Sequence, residues 1–173
     1  MNKRSTLILG LSLMMGTGSN LFAIQQTGAV AAQKKGTVMT GQAKGTFDVK
    51  VVPLPQDEKV TGVPVARFSI DKVWKGDLEG TSKGEMTAVD TPVKGSGGYV
   101  AVEMVIGKLK GKSGSFTFLH RATMRANTDF NMSIEVLPDS GTGDLVGLAG
   151  KMTIIIEGKN HSYVFDYTLP DAK

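Results

Sequence analysis

The chain is expected to be all-β and to form a closed eight-stranded antiparallel barrel, and three features of the sequence predict this. From Gly76 to Gly150, runs rich in Val, Ile, Met and Phe are cut by glycines about every ten residues, as in GDLEGTSKGEM, GKLKGKSGSF and SGTGDLVGLAG. No helical period runs through them, and this punctuation is how a sheet that keeps turning back on itself reads in sequence. The strand-like runs also follow one another too closely for crossover helices, so neighbours pair antiparallel. A sheet of that length in so small a protein removes its exposed edges by closing on itself.

The strands are expected at Ala43–Val52, Pro64–Trp74, Glu79–Asp90, Gly98–Leu109, Ser113–Arg125, Asn131–Leu137, Lys151–Glu157 and His161–Leu169. Pro53 and Pro55 end the first, because proline cannot donate to a ladder. KGSGG at 94–98 and KGKSG at 110–114 supply the positive backbone dihedrals of hairpin turns. GKNH at 158–161 reads as another tight hairpin with Lys159 and Asn160 in the turn. PDSGTGDLVGL reads as a turn and the start of a strand.

Lys3 and Arg4 precede an apolar run from Leu7 to Met15, followed by GTGSN and Leu21-Phe22-Ala23. A basic start, a short apolar segment and a small residue at the cut make a secretory signal peptide over residues 1–23. The run is too short to span a bilayer, which takes about 20 apolar residues. No cysteine follows it, so a lipoprotein anchor is excluded, and the protein is expected to be exported, periplasmic or secreted, and not membrane-embedded. Ala29-Val30-Ala31 fits the small-x-small rule better but lies far from the apolar run. Residues 24–42, IQQTGAVAAQKKGTVMTGQ, carry few large apolar side chains and are expected to be a flexible segment, a mobile tether or a loosely attached arm. A single domain then covers 43–169, with a tail at 170–173.

Removing residues 1–23 leaves 150, enough for one core. It takes away Lys3 and Arg4 only, so Lys plus Arg falls from 20 to 18 against 16 Asp plus Glu, a net charge of +2. Scattered lysines at that balance give no nucleic-acid footprint. With no cysteine there is no disulfide, thiolate metal site or thiol nucleophile. The two histidines stand 41 positions apart and do not by themselves suggest zinc. The acidic residues do not reproduce calcium-loop spacing, GSGG at 95–98 lacks the strand-to-helix setting of a dinucleotide site, and Ser113 and Ser115 lack the nucleophile elbow of a hydrolase. No metal or cofactor is expected, and no catalytic residue is assigned.

The runs GDLEGTSKGEM (76–86), GYVAVEMVIGKLKGKSGSF (98–116), VLPDSGTGDLVGLAGKMTI (136–154) and HSYVFDYTL (161–169) resemble the bacterial domain-of-unknown-function family 3224. The similarity spans about residues 43–169 in the family's order. It implies an eight-stranded antiparallel barrel similar to plant allene oxide cyclase and distantly lipocalin-like, and it implies no activity. Two departures stand out: Met104 follows the glutamate where the family often has arginine, and many members lack the export signal.

Strand alternation sorts the candidate site. Phe116, Phe118, His120, Ala122 and Met124 share the face that best suits a barrel interior, so His120 is expected to point inward among Phe and Met. His161, Tyr163, Phe165, Tyr167 and Leu169 form a second inward file. In the fourth strand either Val100, Val102, Met104 and Ile106 or Tyr99, Ala101, Glu103 and Val105 face the lumen. If the latter, Glu103 enters it on the strand next to that of His120. The candidate ligand-binding residues are His120, Glu103, Phe118, Tyr163 and Tyr167. His120 and Glu103 suit a general base and its orienter, a pair of binding anchors, or a satisfied core histidine beside a solvent-facing glutamate. Trp74 caps the barrel mouth or sits half-buried at a strand end.

Three functions are open on this reading: a non-enzymatic barrel binding a small, partly apolar molecule, an isomerase or cyclase, or a filled barrel acting through its surface. On the export reading, N-terminal sequencing of the native protein is expected to start at Ile24. Retention of Met1 in a membrane pellet would overturn it.

Overall fold

The computed structural model describes residues 37–55 and 65–171. Residues 1–36, which hold the expected export signal and most of the expected tether, lie outside the described residues, as do 56–64 and 172–173. Eight strands close in chain order into an antiparallel barrel: β1 (Val38–Leu54), β2 (Val65–Gly76), β3 (Leu78–Asp90), β4 (Gly97–Leu109), β5 (Lys112–Arg125), β6 (Asp129–Val136), β7 (Ala149–Glu157) and β8 (Asn160–Pro170). Seven of the eight pairs join sequence neighbours, and β1 pairs with β8 to shut the sheet. Among the described residues the only helical element is a 3₁₀ turn at Gly143–Leu145.

Strand ends differ from expectation for identifiable reasons. β1 begins at Val38 rather than Ala43, because Val38 to Gln42 pair with Pro170 to Asp166 on β8. Polar and glycine-rich residues there do not detach the chain, since closing the barrel needs their backbone. Pro170 ends β8 instead of opening a tail. In the last hairpin Glu157 faces Asn160, so the turn is Gly158–Lys159 rather than Lys159–Asn160. The positive φ of 64° falls on the glycine, which adopts it without strain. The β4–β5 hairpin also has a two-residue turn: Lys110 and Gly111 both have positive φ, as a turn matched to sheet twist requires.

The segment between β6 and β7 is a plug rather than a simple turn. β6 ends at Val136, which leaves the first half of β5 without a strand partner on that side. The loop takes over its hydrogen bonds. Leu137 N–H donates to Thr117 C=O at 2.8 Å and Thr142 N–H to Ser115 C=O at 2.8 Å. In return Ser113, Ser115 and Thr117 N–H groups donate to Asp144 Oδ2, Thr142 Oγ1 and Ser140 Oγ. The 3₁₀ turn then drives Leu145 and Leu148 into the barrel end, each 1% exposed.

These leucines meet Leu78, Val105, Leu109, Phe116, Tyr163, Phe165 and Leu169 in one packed cluster. Its aromatic rings interlock edge to face: Phe116–Phe118 centroids are 4.9 Å apart and Phe118–Phe165 5.4 Å. The Tyr163 hydroxyl accepts the Leu78 N–H at 2.8 Å, tying β8 to the start of β3. One half of the lumen is therefore solid.

Truncating the plug should be felt globally. Leu145→Ala is expected to lower unfolding stability by about 2–5 kcal/mol, the cost of a buried leucine-sized cavity. A denaturant melt with unchanged slope but lower midpoint would report it. No change would mean that the plug does not contribute to the core.

Candidate functional site

β4 resolves the sequence ambiguity in favour of its mixed face. Ala101, Glu103 and Val105 are buried, while Val100, Val102, Met104 and Ile106 are exposed on the outer surface. Glu103 is wholly inaccessible to solvent. Burying a carboxylate is tolerable only when charge and hydrogen bonds compensate it, and here β2, β3 and β5 supply both.

Lys72 of β2 reaches past β3 on the inner face and places Nζ 2.7 Å from Glu103 Oε2. Its ammonium also lies 4.9 Å from the Phe47 ring centroid and 5.0 Å from that of Trp74, over the electron-rich ring faces. Ser82 of β3 donates its hydroxyl to Glu103 Oε1. The Trp74 indole N–H in turn donates to Ser82 Oγ at 2.9 Å. His120 of β5 brings Nε2 to 3.0 Å from the same Oε2 that Lys72 holds. That approach is close in distance but poorly aligned with an N–H bond, so it is an electrostatic contact. The neighbouring strand β3 makes room for Glu103: Gly84 is its register partner, and a Cβ there would stand 3.1 Å from the glutamate's own.

Burial alone would raise the Glu103 carboxyl, but the His120 ring and the Lys72 ammonium outweigh it and hold the group down to about 2. Burial pushes Lys72 the other way, below the ordinary lysine value, with the Glu103 charge resisting the shift. The carboxylate is therefore the firmly ionised member. Burial, with the Glu103 charge second, raises the nearby Tyr99 phenol.

Above this charged floor the lumen opens into a cup of about 200 Å³. All eight strands contribute to it, through Val49 and Val51, Ile70, Met86, Tyr99, His120, Met132, Ile154 and Ile156, and His161 in chain order. Both histidines of the chain line it. Among the described residues no group of three His, Cys, Asp or Glu side chains is placed to hold a metal.

Of the five residues singled out in the sequence, the structure brings His120 and Glu103 together. Phe118 lies directly beneath, its ring centroid 6.1 Å from that of His120. Tyr163 is committed to the packed half through its bond to Leu78. Tyr167 is half-buried against Phe165 and lines no part of the cup. Trp74 is neither a mouth cap nor half-exposed: at 2% exposure it is core, spent on Ser82 and Tyr163. Sequence reasoning missed Lys72 and Ser82. Alternation along β2 was the available signal, since Ile70, Lys72 and Trp74 are in phase.

A small antiparallel barrel, solid at one end and cupped at the other over a buried Lys–Glu–His cluster, is the class that fold and site define. The family described as "Protein of unknown function (DUF3224)" matches residues 43–167, and the chain belongs to it. A crystal structure of a protein of unknown function from the DUF3224 family of Shewanella oneidensis MR-1 is similar throughout. It is 42% identical, superposes with a TM-score of 0.70, and is covered over 100% of its length by 78% of this chain. No match is found among curated proteins.

The low Glu103 carboxyl sets a pH dependence. With a folded value near 2 against an ordinary 4.5, the unfolded chain binds the extra proton first. The stability Glu103 contributes is then complete above pH 4.5 and is lost as pH falls from 4.5 toward 2. Arg67 also holds the exposed Glu85 carboxyl low, by its hydrogen bond, so comparison with a variant is needed. Thermal midpoints across that window should fall less steeply in Glu103→Gln than in the natural protein. Equal slopes would contradict the assignment.

Proposed function

We propose that the protein is an exported barrel that binds one small, partly apolar molecule in the open half of its lumen. The cup carries this reading. Small eight-stranded barrels either fill their interior with side chains or hold one small ligand, and this one fills half and leaves the other half open. Apolar walls with a few converging polar groups at the floor are what ligand sites of this kind present. A wholly filled structural barrel would leave no such space. The Glu103–His120 contact also suits an isomerase or cyclase that moves a proton on its bound substrate, and turnover of a recovered ligand separates the two readings. Export rests on the Lys3–Ala23 pattern alone.

Native mass spectrometry of protein purified from its own host should show a retained ligand. Ile154→Trp, which fills the cup from β7, should keep the fold and abolish retention. An empty natural protein that also fails to take up small apolar compounds would overturn the proposal.

A further inference from the structure

The cup selects by chemistry as well as by size. We infer that it takes a neutral one-ring phenol whose hydroxyl donates to Nδ1 of His120; this rests on the lumen-binding reading above. Charge comes first. The Lys72 ammonium and the Glu103 carboxylate are 2.7 Å apart and cancel, so the floor offers no net charge to a ligand ion. The walls of Val49, Ile70, Met86, Met132 and Ile154 would not repay the desolvation of one.

The free polar atom is next. His120 Nε2 is buried against Glu103, and among the described residues it is the one buried side-chain polar atom without an aligned partner. The other ring nitrogen, Nδ1, has no hydrogen bond and is not sealed in, and the ring lines the cup, so Nδ1 is assigned to the cup side. In the neutral imidazole an ionised carboxylate beside Nε2 favours the tautomer with hydrogen on Nε2, which leaves Nδ1 with a lone pair. At the floor of the cup His120 therefore presents an acceptor, which calls for a donor at that point. Size and shape complete the class. A cavity of roughly 150 Å³ holds benzene, so about 200 Å³ holds one ring with a short substituent. The Phe47 and His161 rings, with centroids 5.2 Å apart, provide aromatic wall.

The test uses the full chain and three probes of one shape: para-cresol, its methyl ether and para-xylene, titrated by calorimetry or ligand-observed NMR. Para-cresol should bind about five- to ten-fold tighter than the ether, the worth of one net hydrogen bond. An apolar cup without an acceptor would reverse that order, because the hydroxyl gives up its bonds to water. His120→Phe should abolish the preference while keeping the ether's affinity, and Ile154→Trp should remove all three probes. Should His120→Phe not fold, the double variant Lys72→Met/Glu103→Gln removes the ion pair without leaving a lone buried charge. It should lower the preference by releasing the imidazole. Equal or tighter binding of the ether and para-xylene to the natural protein would overturn this inference and leave the lumen reading standing. A cresol preference that survives Ile154→Trp would place the site elsewhere and overturn it too. Binding of none of the three would overturn this inference, and together with an empty natural protein in native mass spectrometry it would overturn the lumen reading too.

Discussion

The Glu103 carboxylate organises the interior. It is the most deeply buried charge among the described residues, and four strands meet on it: β2 through Lys72, β3 through Ser82, β4 itself and β5 through His120. Taking two charges out of water costs several kcal/mol per ion even after relaxation, and a well-packed apolar pair often does as well. Core stability does not by itself demand this arrangement. What it achieves is a polar layer at a fixed height in the lumen, with every member oriented by its neighbour.

That layer divides the barrel. Below it, aromatic side chains and the Leu145–Leu148 plug fill the space as one buried cluster. Above it, the strands continue with Val, Ile and Met, too slender to meet across the lumen, and the cup results. β3 lends room where the cluster needs it, since its inward positions alternate Gly80, Ser82 and Gly84. The short pairing of β6 with β7, limited to Ile134–Met152 and Glu135–Lys151, is made good by the plug loop bonding to β5. A gap in the sheet thereby becomes the stopper of its closed end.

The cluster is asymmetric in what it shows a ligand. Lys72 and Glu103 are consumed by each other, and Ser82 and Trp74 by the carboxylate and by one another. His120 meets the charge through Nε2 and also lines the cup. What such a site fixes is orientation: the carboxylate sits against Nε2, and edge-on packing against Phe118 sets where the ring points.

The order and number of strands were legible in the sequence, because glycine punctuation and period-two alternation are local properties that each segment carries alone. His120 and the aromatic file of β8 were legible for the same reason: their neighbours in phase are unmistakably apolar. Alternation could not decide the face of β4, where one face is uniformly apolar and the other bears a carboxylate. Judged locally, Val100, Val102, Met104 and Ile106 are the better core. They face outward because Lys72, Ser82 and His120, all distant in sequence, compensate Glu103. The same holds for the plug, whose polar, glycine-rich stretch is ordered by the unpaired edge of β5, and for Tyr163, which goes to Leu78 rather than to a ligand. Period and punctuation act within a strand, and so the sequence by itself determined the barrel. Compensation of a buried charge acts across strands, and only the tertiary structure decided the site.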